Sequence, residues 1–114
     1  MKQVSVDDVV RDVLRQASGV FGTKLKKVVL FGSYARGDHT DESDMDIMLL
    51  LQMDDTDISH YRRKLAEIAC EIQDRYDVVI SLVGKNLDHF EYWSDTLPFY
   101  ANVKNEGIYY DTAA

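Results

Sequence analysis

Five consecutive apolar residues, Ile47, Met48, Leu49, Leu50 and Leu51, follow directly on an acidic pair, Asp44 and Asp46. A run this short is a strand rather than a buried helix, and a strand apolar on both faces must be covered on both. The chain is therefore expected to build a sheet whose strand over 44–53 is polar at the start and apolar on both faces afterwards. Other elements fit that frame. Val6, Val9, Val10, Val13, Leu14, Ala17 and Val20 recur at helical spacing behind a capping box of Ser5 and Asp8, and that helix should end near Gly19 or Gly22. Residues 26–31, closed by Gly32, form a buried strand, and residues 32–43 carry loop chemistry.

Ile58, Tyr61, Leu65, Ile68, Ala69, Ile72 and Tyr76 mark one amphipathic helix of about five turns. A strand over 77–83 follows, then short helices over 87–93 and from Pro98 to Gly107, and a short edge strand over 108–110. Two strands joined by one helix, 44–53 and 77–83, most simply lie parallel through a right-handed crossover. The strand over 26–31 must then run antiparallel to both if Gly32 is to meet Asp44, so the sheet is mixed.

Length and charge narrow the function. A chain of 114 residues, 46% hydrophobic, is expected to form one domain with a modest core. Its net charge of -7 gives no long-range attraction to a polyphosphate backbone, so nucleic acid is not an expected partner. The start MKQVSVDDVV lacks a signal-peptide pattern, and no apolar run is long enough to span a bilayer. The lone Cys70 cannot form an internal disulfide, and its place in the helical pattern favours a packed thiol. A soluble, cytoplasmic protein is the expectation.

Three features converge on one end of the expected sheet: the Gly32-Ser33 turn, the pair Asp44 and Asp46, and Asp77. Residues two apart on a strand share a face with Cα atoms about 6.6 to 7 Å apart. Asp44 and Asp46 can thus reach one divalent ion, or two ions about 3.5 to 4 Å apart, while Met45 points away. Magnesium suits such a site because it takes a few carboxylate oxygens and accepts its remaining ligands from water and phosphates. Gly32 permits close backbone approach, Ser33 offers a hydroxyl, and Tyr34, Ala35 and Arg36 can start a helical turn facing a phosphate. Arg36 can pair with a phosphate or with the carboxylates, and Gly37 lets the chain leave the turn left-handed.

The stretch GSYARGDHTDESDMDI, with Gly32-Ser33, ten intervening residues and then Asp44-Met45-Asp46, resembles the signature of the minimal nucleotidyltransferases in the polymerase-beta-like superfamily. The resemblance runs from about residue 28 to 83. It implies a polymerase-beta-like α/β (α+β) fold, a small mixed sheet flanked by helices, with residues 1–114 as a single nucleotidyltransferase domain. It also implies magnesium, as two ions, held by Asp44, Asp46 and Asp77; Asp77 is preferred over Asp74, which falls inside the expected helix. Gly32, Ser33 and Arg36 would bind the nucleotide. The implied reaction moves AMP from ATP to an acceptor hydroxyl by positioning and charge neutralisation, with Asp77 on the acceptor side. Stand-alone chains of this size are similar to the antitoxin partners of HEPN-domain toxins, which implies a toxin protein as acceptor. A silent antitoxin acting by contact alone and a small-molecule nucleotidyltransferase are the competing readings.

Other chemistries fit poorly. An EF-hand starting at Asp38 would have Ser43 at its glycine position and Leu49 at its last ligand. No Gly-Lys-Ser/Thr or G-x-S-x-G occurs, and His39, His60 and His89 lack ligand spacing, so surface positions are expected for them. Phe90, Tyr92, Trp93, Phe99, Tyr100, Tyr109 and Tyr110 should cover the core in part, any exposed share marking an interface.

Overall fold

The computed structural model describes residues 5–112. Ser5 caps the first helix, α1 (Val6–Phe21), by accepting the Asp8 backbone N–H at 3.3 Å. Of the two expected stops, Gly22 is the one used, at φ 59°. A 3-10 turn, Gly22–Lys24, leads into β1 (Leu25–Phe31), a four-residue helix α2 (Ser33–Arg36) and β2 (Met45–Leu51). Then come α3 (Asp55–Ser59), α4 (Arg62–Tyr76), β3 (Ile80–Asn86), α5 (Leu87–Trp93), α6 (Pro98–Glu106) and β4 (Ile108–Asp111).

The four strands form a mixed sheet in the order β3-β2-β1-β4. β2 runs parallel to β3 and antiparallel to β1, as the crossover argument requires, and β4 pairs antiparallel with β1. β2 is central, and six of its seven residues are buried. Residues Met45, Ile47, Leu49 and Leu51 point into a large cluster with Val9, Val13, Leu65 and Ile72 from α1 and α4. Met48 and Leu50 point the other way, into a smaller cluster with Phe90 of α5 and Val103 of α6. Each such side chain contributes about 1.5 to 3 kcal/mol by leaving water, so β2 anchors both layers.

Three expectations need correction. The helix expected over 58–76 is two helices, broken at His60 and Tyr61: the acidic first turn, Asp55 and Asp57, starts α3 early, and α4 begins afresh after Tyr61 at ψ 8°. β3 begins at Ile80 rather than 77, because Asp77 closes α4 in the left-handed conformation, φ 53° and ψ 48°. The strand instead runs on through Gly84, Lys85 and Asn86, where the ladder to β2 continues. A Cβ at Gly84 would stand 3.1 Å from Ile58 and 3.3 Å from Leu51, so glycine lets α3 sit close on the strand. Cys70 is exposed instead of packed. It lies two residues past Ile68, roughly 200° round the helix from the buried stripe.

One polar knot joins α1 to the end of α4. Asp12 is only 8% exposed, and its carboxylate accepts from Arg75, from the Tyr76 hydroxyl at 3.0 Å and from Arg15 at 2.5 Å. Burial pushes its pKa up, but the hydrogen bonds from Tyr76, Arg75 and Arg15 together hold it below the usual value. Its contribution is therefore present above the ordinary carboxylate range and fades as pH falls through the lowered native value. Asp12→Ala should cost about 1.5 to 3 kcal/mol in urea unfolding at pH 7, and much less in strong acid.

Candidate active site

β1 and β2 are in a register that sets Phe31 opposite Asp46. The chain must then turn at Gly32, directly against that carboxylate. Gly32 has φ 75°, and a Cβ there would lie 2.3 Å from Asp46 Oδ2. Only glycine satisfies both the conformation and the contact. The turn continues as α2, with the Ala35 and Arg36 N–H groups donating to the Gly32 carbonyl at 3.1 Å and Gly37 N–H to the Ser33 carbonyl at 2.9 Å. Gly37 leaves left-handed at φ 83°, as expected.

The loop back to β2 is held by its own polar groups. Thr40 N–H donates to Ser43 Oγ at 2.9 Å, Ser43 N–H to the Thr40 carbonyl at 3.1 Å, and the His39 ring stacks on Tyr34 at 4.0 Å. Met45 N–H then donates to the Val79 carbonyl at 2.8 Å, which fixes the end of β2 against the start of β3. Asp44 emerges exposed just before the strand and Asp46 half-buried within it.

Burial, reinforced by the Asp44 charge, pushes the Asp46 carboxyl above its ordinary range, and Arg36 offsets part of this. Arg36 itself pairs with Asp38 at 3.2 Å and with Glu106 of α6 at 3.6 Å. A cavity of about 200 Å³ opens here, between Gly32, Arg36 and Asp46 on one wall and Phe99, Asn102 and Glu106 of α6 on the other. A larger cleft, about 620 Å³, lies along the outer side of β3 near Arg62 and His89, away from the acidic pair. The chemistry singles out the smaller one.

The structure thus brings Gly32, Ser33, Arg36, Asp44 and Asp46 to one place. Asp77 does not join them. It is exposed on its left-handed residue, separated by Val78 and Val79 from β3. Among the described residues no three His, Cys, Asp or Glu side chains are grouped closely enough to hold a metal ion. Two site residues escaped the sequence reading. Glu106 carried no signal, since only folding brings α6 over the turn. Ser81, in register with Asp46, was the lone polar residue in the run Val78 to Val83 and could have been found by its parity. His39, His60 and His89 are exposed, as expected.

A family profile for Polymerase beta, Nucleotidyltransferase matches residues 17–108. The chain belongs to this nucleotidyltransferase family. Two proteins of Methanocaldococcus jannaschii, each bearing the name "Putative protein adenylyltransferase", are similar to it. One is 31% identical over 101 residues, spanning 86% of this chain and 90% of that protein. The other is 33% identical over 78 residues, spanning 68% and 77%. The fold is shared with a crystal structure described as the toxin-antitoxin with AMP-PNP, at TM-score 0.57 and 21% identity over 92% of this chain and 72% of that one. A mutant MntA-HpeT toxin-antitoxin shares it too, at TM-score 0.56 and 22% identity over 97% and 75%.

For this nucleotidyltransferase the donor set suits magnesium in part. Asp44 and Asp46 offer two hard oxygen donors beside a turn that leaves room for phosphates. The Asp46 carboxyl is held above its ordinary range first by burial and then by the Asp44 charge.

Two outcomes are expected. Gly32→Ala should lose about 1 to 3 kcal/mol from the backbone conformation alone, measured by urea unfolding, and should push Asp46 out of place. Asp46→Asn should raise the metal-free melting temperature at pH 7, since a carboxyl with a raised native pKa is least favourable when ionised. The gain should vanish as pH drops below the ordinary carboxylate range.

Proposed function

We propose that this nucleotidyltransferase transfers AMP from ATP to a hydroxyl on a partner protein, a HEPN-type toxin, and so acts as its antitoxin in the cytoplasm. The observation that carries the reading is the contact of the Gly32 backbone with Asp46, which makes a phosphate turn and an acidic pair into one unit. The names of the archaeal relatives support a protein acceptor, and the fold neighbour described with AMP-PNP supports an adenine nucleotide.

Gly32 and Ser33 would hold the leaving phosphates, and Arg36 would release Asp38 or Glu106 to pair with them. Asp44 and Asp46 would hold magnesium, which when bound neutralises phosphate charge. The acceptor oxygen bonds to the α-phosphorus, the bond from that phosphorus to the α–β bridging oxygen breaks, pyrophosphate leaves, and the hydroxyl proton passes to a base or to solvent. A second reading, an antitoxin acting by contact alone, is favoured by one observation: Asp77 closes α4 ahead of β3, and no group of three acids that could hold a metal ion forms among the described residues.

The test is incubation with α-labelled ATP, magnesium and the protein encoded by the neighbouring gene. Label should appear on the partner, and Asp44→Asn should cut it to about a hundredth or less, the scale for removing one electrostatic stabiliser. A partner neutralised without label, equally well by Asp44→Asn, would leave contact as the mechanism.

A further inference from the structure

The parallel ladder between β2 and β3 fixes which residue of β3 stands beside the acidic pair. Met45 pairs with Ile80, Asp46 with Ser81 and Met48 with Val83. Ile80 and Leu82 face the large cluster together with Met45 and Ile47, whereas Val83 faces the small cluster with Met48. Parity therefore puts Ser81 on the same face as Asp46, one strand away at the usual spacing of about 4.8 Å.

This is the position from which a carboxylate of β3 would complete a three-acid site with Asp44 and Asp46. The chain has a neutral hydroxyl there. Asp77 lies four residues earlier, beyond the start of the strand, and Glu106 across the cavity is engaged by Arg36. A two-ion clamp needs protein oxygens on the acceptor side as well as the phosphate side, and a serine hydroxyl is a weak substitute for a carboxylate.

We infer that the site takes a single divalent ion, the one that accompanies the nucleotide, and that Ser81 occupies the acceptor side in place of a metal-holding carboxylate. The inference rests on the nucleotide-binding reading above. It follows that β3 supplies no carboxylate for acceptor activation, and that one substitution, Ser81→Asp, creates the second ion site.

Electron paramagnetic resonance of Mn2+ in the isolated complex with AMP-PNP reads the ion count without needing turnover. The intact protein should show one uncoupled Mn2+ per bound nucleotide, Ser81→Asp a spin-coupled pair, and Asp77→Asn the same single ion as the intact protein. Ser81→Ala, which keeps the fold if the aspartate does not, should also hold one. A coupled pair in the intact protein, or loss of one ion in Asp77→Asn or Ser81→Ala, would overturn the single-ion site while leaving nucleotide binding intact. Absence of bound nucleotide and Mn2+ together would instead sink the nucleotidyltransferase site as proposed.

Discussion

The register of β1 against β2 is the constraint on which the site depends. With Phe31 opposite Asp46, the turn at Gly32 closes on the carboxylate; a slip of one residue would send Asp46 into the large cluster and bring Met45 or Ile47 to the turn. That register is secured by burial on both sides of β2. Sliding the strand would expose or misplace six buried residues at once. The functional geometry is thus set by core packing several residues away from the polar groups that use it.

Electrostatics at the open end of β2 run against the fold. A half-buried carboxyl with a raised pKa, next to a second acid, destabilises the ion-free protein at neutral pH. Arg36 relieves this only in part, because it is shared with Asp38 and Glu106. By contrast Asp12, also an aspartate and more fully enclosed, is supplied with donors and holds α1 to α4. The same side chain serves stability where donors surround it and stays poised where they are withheld.

Much of this could be seen in the residues. The apolar run at 47–51 and the helical spacing of α1 gave the layers, and Gly32, Ser33, Asp44 and Asp46 were legible because turn and strand chemistry are local. Asp77 was misplaced because an apolar run such as VVISLV marks that a strand exists but not where it starts. That boundary was set by the left-handed stop of α4, a choice that Asp tolerates and periodicity does not report. Tyr61 was assigned correctly to the core side, but the break beside it was hidden because α3 and α4 share one apolar face. Glu106 enters the site only because α6 packs over the turn, which no window of the sequence contains, whereas Ser81 was signalled by its parity and only its pairing with Asp46 needed the ladder.

The orientation of α4 leaves the molecule with a practical handle. Its sole thiol, on Cys70, lies on the outward side of a helix that packs against the sheet face opposite the one carrying Asp46. A maleimide dye or nitroxide attached there has one possible address and sits behind the sheet from the cavity beside Asp46. Labelling chemistry can therefore follow partner docking without a second cysteine to remove first.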